Sequence, residues 1–326
     1  MYLVAYPAPS KGEEKEYITV EDSLKRRIIV PKNPQKIVAL TATSAEVLRL
    51  LGYIDRVVGT TIFVKTREDI IPEVKDMTNV GRGFVPNLEI IAKLNPDLVI
   101  AWSDNPGPEL EGQLKVLGIG LLRLDFILPW ELERETLILA EVMGGQAPER
   151  AKEFLSWNKN LENRLQNLIL EKPKPTVLVE HYSERLLIAG NQSASYYTTV
   201  MAGGDNLAKN IDRKSAEVDS EWVVRENPEF IIKLVMFLSL EERRSPKDLM
   251  EYLRSDVLNR PGWEDVKAIK DRRVYVLDAD TSGGPRNFTS IYQVAHWFYP
   301  DLVREDEVEK LEKEYFERFQ GFASWP

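Results

Sequence analysis

Two stretches of this chain, 132 positions apart, carry the same order of residue types, and that repetition limits the fold more than any other feature. The first is Leu88-Glu89-Ile90-Ile91-Ala92-Lys93-Leu94-Asn95-Pro96-Asp97-Leu98-Val99-Ile100. The second is Ser220-Glu221-Trp222-Val223-Val224-Arg225-Glu226-Asn227-Pro228-Glu229-Phe230-Ile231-Ile232. Each reads as a helix with an exposed glutamate near its start, an Asn-Pro-acid turn, and a buried strand. The proline ends the helix because the residue before it is pushed out of the α region. A short apolar run bounded by turn residues suits a strand covered on both faces, as in a parallel sheet. One such turn is common in α/β units. Two with matching flanks imply two similar lobes.

The join between them is also legible. From 148 to 170, Ala151, Phe154, Leu155, Asn158, Leu161, Leu165 and Leu168 recur at helical spacing with no breaker. Pro148 suits the first helical turn. At 1.5 Å per residue such a helix is about 35 Å long, a stiff spacer rather than a flexible linker. Lys172-Pro173-Lys174-Pro175 ends it. The expected architecture is α/β, with two Rossmann-like lobes joined by a single long helix. Residues 1–17 form a tether, 18–146 the first lobe, 147–172 the helix and 173–326 the second lobe. Ligands are expected in the cleft between lobes.

Within the first lobe, 17–30 reads as a hairpin, 36–40, 57–59, 98–102 and 120–124 as strands, and 45–51 and 129–143 as helices. Ser44 is the expected N-cap of the helix at 45. In the second lobe 176–179, 230–232 and 274–277 read as strands, and 194–201, 289–298 and 305–319 as helices, the last strongly charged.

Composition then removes whole classes of function. The 326 residues include no cysteine, so disulfides, thiolate metal sites and thiol catalysis are excluded. A net charge of −9 argues against a nucleic-acid partner. No run approaches the roughly 20 apolar residues of a membrane span, and residues 1–9 lack the pattern of a signal peptide. There is no Walker loop, dinucleotide fingerprint or Gly-x-Ser-x-Gly elbow. Gly81-Arg82-Gly83 and Gly190-Asn191-Gln192-Ser193 read as turns. With two histidines, a three-His site for a bare zinc or manganese ion is unavailable. No catalytic residue, resident metal or cofactor is expected, and the chain reads as a carrier rather than an enzyme.

A set of short segments gives a more specific resemblance. They are the Asp22-Ser23 to Pro31 hairpin; Pro34-Gln35-Lys36-Ile37-Val38-Ala39-Leu40 followed by Ser44-Ala45-Glu46; Val57-Val58-Gly59; Asn79-Val80-Gly81; and Asn87-Leu88-Glu89. Asn95-Pro96-Asp97, Ala189-Gly190-Asn191, Ala202-Gly203-Gly204-Asp205-Asn206-Leu207 and Trp297-Phe298-Tyr299-Pro300-Asp301 continue the series. In this order and spacing, residues 18–319 resemble the periplasmic binding proteins for siderophores, haem and vitamin B12, the class III fold.

The resemblance implies the substrate-binding component of an ABC importer. It would capture a metal chelate (ferric siderophore, haem or corrinoid, which the sequence does not separate) and deliver it to the permease subunits. It implies an extracytoplasmic monomer that meets the membrane only through a lipid anchor or the permease. Glu89 and Glu221 match the family's carboxylates that dock on permease arginines, and the helix dipole keeps such first-turn groups ionised. Loops after the strands, at 41–44, 81–87, 102–105, 181–185, 233–237 and 280–288, should line the cleft. They gather Arg82, Phe84, Trp102, His181, Tyr182 and Arg286 as ligand-binding residues. Aromatic rings with a few polar anchors suit a large planar ligand. Arg286, just before a helix expected near Thr289, could hold an anionic group with that helix's N-terminus. His181 could ligate a haem iron or cobalt, or simply be hydrogen-bonded. Related two-lobed folds include tetrapyrrole metal chelatases, which would use His181 with Glu180 or Glu184; this is the alternative reading.

Overall fold

The computed structural model describes residues 16–82, 85–236 and 246–324. The chain divides into two compact units, one from the N-terminus to Ser156 together with Tyr315 onward, the other Trp157–Glu314.

The first unit opens with a hairpin, β1 (Tyr17–Glu21) and β2 (Arg27–Pro31). Its turn is built on Asp22, fully buried, which accepts from the amides of Leu24 and Arg26 (3.0 Å each) and from the Arg26 guanidinium. Tyr17 already pairs with Pro31, so the expected tether gives way to strand at 17; residues 1–15 lie outside the described residues. A parallel sheet follows in the order β5-β4-β3-β8-β9. Its strands are β3 (Ile37–Ala39), β4 (Val57–Thr60), β5 (Thr78–Asn79), β8 (Leu98–Ala101) and β9 (Gly120–Arg123). A two-stranded ribbon, β6 (Gly81–Arg82) with β7 (Val85–Pro86), hangs from the end of β5. Helices α1 (Ala42–Leu50), α2 (Ile62–Lys65), α3 (Leu88–Leu94), α4 (Glu109–Val116) and α5 (Pro129–Met143) connect the strands. Thr41, not Ser44, caps α1: its hydroxyl accepts the Ser44 amide at 3.1 Å, and Ser44 lies fully buried inside the first turn. Both residues carry the hydroxyl a cap needs, and the helix starts one turn earlier than its apolar periodicity.

Helix α6 runs unbroken from Ala147 to Ile169. Ala151 and Phe154 are buried with the first unit, Leu161 and Leu165 with the second. At its end the buried residue is Ile169, while the expected Leu168 is 41% exposed, because a stripe spaced at three and four drifts around a helix of 3.6 residues per turn.

The second unit's sheet has the order β13-β11-β10-β14-β15, with β12 also paired to β10. β10 (Thr176–Glu180), β12 (Asp205–Asn206), β14 (Phe230–Val235) and β15 (Val274–Asp278) are parallel; β11 (Leu187–Ala189) runs antiparallel to β10, and β13 (Ser215–Glu217) antiparallel to β11. α7 (Ala194–Met201), α8 (Ser220–Glu226), α9 (Pro246–Leu258), α10 (Lys267–Lys270), α11 (Asn287–Phe298) and α12 (Glu305–Arg318) complete the description. From Tyr315 the chain leaves the second unit, where it was expected to remain. Tyr315 and Phe319 meet Phe154, and the Tyr315 hydroxyl donates to buried Glu46 at 2.8 Å.

The repeat holds at the level of single dihedral angles. α3 ends on Asn95 at φ 48°, ψ 59°, and α8 on Asn227 at φ 47°, ψ 60°. Asparagine is the side-chain-bearing residue best suited to this left-handed geometry. The acid two residues on then ties the helix end to the neighbouring strand. Asp97 accepts the amides of Gln35 (2.8 Å) and Lys36 (3.0 Å), and Glu229 that of Thr176 (3.0 Å).

Candidate functional site

In the first sheet, and among β10, β12, β14 and β15 of the second, the strands point the same way, so the loops that follow them gather at one edge, where α/β proteins hold ligands. In the first unit this edge carries Thr41, Thr61, Trp102 and Asp125. The hydroxyls here are satisfied internally: Thr41 donates to the Ser44 hydroxyl, Thr43 to the Asp125 carbonyl, Thr60 to the Ala39 carbonyl. The exposed groups near this edge include large apolar ones. Ile62 and Phe63 at the start of α2, and Trp130 at the start of α5, are 42%, 45% and 49% exposed. None of the three was expected from the sequence, although Ile62 and Phe63 stand just past the end of β4.

Trp102 follows β8 and is half-buried. Its loop is fixed from below. Arg123, 2% exposed, donates to the carbonyls of Trp102 (2.7 Å) and Gly107 (3.1 Å). Asp125 accepts the Ser103 amide (2.6 Å) and hydroxyl (2.8 Å). Glu135 accepts the Phe126 amide at 2.5 Å, and burial pushes its carboxyl up against the opposing pull of its bonds from Ser23 and Phe126. Arg82, on the β6–β7 ribbon, is exposed. Phe84 lies outside the described residues.

In the second unit, β10 ends at Glu180 and leads to His181, half-buried, and Tyr182, 49% exposed. His181 Nε2 is buried without a hydrogen-bond partner. Burial lowers its pKa, and the charge of Lys233 adds to that, against a bond from the ring to the Lys214 backbone. The ring is thus held neutral, with a free nitrogen, at neutral pH. Lys233, expected at a turn, sits instead within β14 and pairs at 2.5 Å with Glu180; both are almost fully buried. Arg260 grips the same carboxylate at 2.9 and 3.1 Å. Arg286 precedes α11 as expected, but it is 5% exposed, in a buried run from Thr281 to Phe288. The Asn287 amide, beside it, is buried with neither polar atom bonded.

Glu89 and Glu221 take matching places, each the second residue of its helix and exposed. Glu89 is held by Lys93 at 2.8 Å; Glu221 has no ion pair among the described residues. No group of three or more metal-ligating acids or histidines occurs among the described residues, and no described helix is long and apolar enough to cross a membrane.

Two units, one built on a parallel sheet and the other on a mostly parallel one, with a continuous helix passing from one to the other, define a class III binding-protein fold. The chain belongs to the Periplasmic binding protein family, whose pattern matches residues 37–281. It is 29% identical over 307 residues to the uncharacterised ABC transporter substrate-binding lipoprotein YvrC of Bacillus subtilis, covering 91% of each chain. It is 24% identical over 232 residues to the high-affinity heme uptake system protein IsdE of Staphylococcus aureus, covering 70% of this chain and 76% of IsdE. Among solved structures it is similar to Helicobacter pylori CeuE with Ni(II) bound, with a TM-score of 0.74 and 22% identity over 94% of this chain and 97% of that one. The protein is a substrate-binding component of the ABC-transporter type.

Proposed function

We propose that the cargo is a metal chelate with a broad apolar face, taken up outside the cytoplasm and passed on chemically unchanged. The observation that carries this is the edge of the first sheet, where Ile62, Phe63 and Trp130 are exposed and Trp102 is half-buried in the segments that follow the strands, while hydroxyls there are consumed internally. Such a surface suits a flat or bulky organic ligand better than a bare ion. The haem-uptake relative agrees with a chelate. On the second unit, Tyr182 adds a ring and His181 a neutral nitrogen for the metal or for a donor on its ligand; Arg82 and Arg286 are the anchors for acidic groups. The chelatase alternative loses one of its acids, since the Glu180 carboxylate is held by Lys233 and Arg260. The lipoprotein relative supports an anchored, extracytoplasmic protein.

Titration with haem, a corrinoid and ferric siderophores, followed by absorbance and tryptophan fluorescence, tests the cargo. At least one chelate is expected to bind in the micromolar range or tighter, and Trp102→Ala should weaken it about tenfold. Binding of free iron or zinc, with no chelate bound, would overturn the proposal.

Glu89 and Glu221 are the proposed docking groups for the permease. The double variant Glu89→Ala/Glu221→Ala is expected to bind cargo normally yet lose affinity for the permease complex by about tenfold or more. Undiminished docking and uptake would remove that role.

A further inference from the structure

The bonds beneath the Trp102 loop converge on one carboxylate, Glu135 of α5, which is 1% exposed. Its two oxygens face donors from two different places. The Ser23 hydroxyl, in the turn between β1 and β2, reaches one oxygen at 2.5 Å. The Phe126 amide, in the loop after β9, reaches the other at 2.5 Å. Ser23 Oγ in turn accepts the Asp125 amide at 3.2 Å, and the Asp125 carboxylate holds Ser103, the residue after Trp102. Phe126 is fully buried at φ 55°, a left-handed backbone that a residue with a side chain keeps only when its surroundings fix it. Glu135 is the group that fixes its amide.

Both donors need an acceptor, and only the ionised carboxyl presents acceptors alone. The neighbouring charges do not force that state. Asp125 is a like charge, and the Arg134 guanidinium, 3.5 Å away, is shared with Glu131 at 2.6 Å and Glu21 at 3.7 Å. From the hairpin, Asp22 is bound to Arg26 and Lys25 to Glu131. Both histidines, His181 and His296, belong to the second unit, so no imidazole of the first unit titrates here. Burial lifts the Glu135 carboxyl above its ordinary value and Asp125 adds to the lift, against the bonds from Ser23 and Phe126 and the charge of Arg134. A folded value above that of the unfolded chain means that this proton favours the fold as pH falls. The bonds to Ser23 and Phe126, by contrast, lose their charge assistance once the carboxyl is neutral. At this group, acid therefore loosens the loop without a cost to the fold.

We propose that Glu135 is a positioning residue whose protonation slackens the Trp102 loop, so that the cargo edge of the first unit tightens and loosens with the acidity of its surroundings. The inference rests on the reading of that edge as the cargo site.

Hydrogen–deuterium exchange of the full chain without cargo, at about pH 7.5 and about pH 5 and corrected for the intrinsic pH dependence of exchange, reads the loop directly. Protection of residues 102–104 and 125–127 in the parent should fall about tenfold from the higher pH to the lower. Glu135→Gln cannot ionise and sets its own N–H group against one of the two donors, so it should be loose at both pH values and show no such change. Ser23→Ala keeps the carboxyl but removes a bond to its charged form, and should move the midpoint of loosening up by about 0.5–1 pH unit. A merely structural role would move neither the pH profile nor its midpoint. Equal protection of the parent at both pH values, the parent's pH response surviving in Glu135→Gln, or an unmoved midpoint in Ser23→Ala would each overturn the proposal. If Glu135→Gln does not fold, the parent and Ser23→Ala decide. Since no cargo is added, failure here leaves the cargo reading intact, and a failed cargo titration leaves the loop result standing.

Discussion

Replacing Glu180 with alanine is expected to destabilise the second unit by about 3–5 kcal/mol, because it strands a buried cation. Lys233 is 3% exposed, and among the described residues its ammonium donates to that carboxylate alone. Arg260 would lose both of its bonds to it as well. The double variant Glu180→Leu/Lys233→Met should recover much of the loss, since an apolar pair of similar volume removes the desolvation cost that the ion pair must offset. Urea unfolding followed by circular dichroism measures both. A single variant within about 1 kcal/mol of the parent would show that water or another group reaches Lys233.

Arg123→Met should act on cargo and on stability together. The guanidinium holds the carbonyls of Trp102 and Gly107 from beneath the first sheet's edge, and no other residue type offers that fork. Leaving buried carbonyls unpaired costs roughly 2–3 kcal/mol, and the loosened Trp102 loop should lower cargo affinity about tenfold. Arg123→Lys is expected to rescue neither fully, because an ammonium cannot span both carbonyls in one plane. Calorimetry of the isolated protein with its cargo reads the affinity. Full affinity in a destabilised Arg123→Met would show that the loop is set by Asp125 alone.

Where local chemistry decides the structure, the sequence displayed it openly. The Asn-Pro-acid turns became a pair of left-handed asparagines with nearly identical angles, and the breaker-free stretch became α6, within one residue at each end. The misplaced cap had an equally local cause: Thr41 and Ser44 are interchangeable by type, and only the backbone says where the first turn begins. What stayed hidden depends on residues far apart in the chain. Tyr315 reads as one more apolar position on a charged helix, and its attachment to Glu46 spans 269 positions. Arg123 and Lys233 carried a signal that could have been used. Each interrupts an apolar strand, and a lone charge in such a run implies a buried partner. The exposed rings at 63 and 130 were missed for the opposite reason: one aromatic after a strand looks like core until its exposure is known.

The first unit is not continuous along the chain, and that has a consequence for biogenesis. Its sheet and hairpin are synthesised first, but the aromatic plug of Tyr315, Phe316 and Phe319 emerges only after the whole of the second unit has been translated. Until then Glu46 lacks its phenol and Phe154 lacks the rings of Tyr315 and Phe319. The usual order of vectorial maturation, leading part before trailing part, is therefore reversed for the final locking step: the segment made first is sealed last.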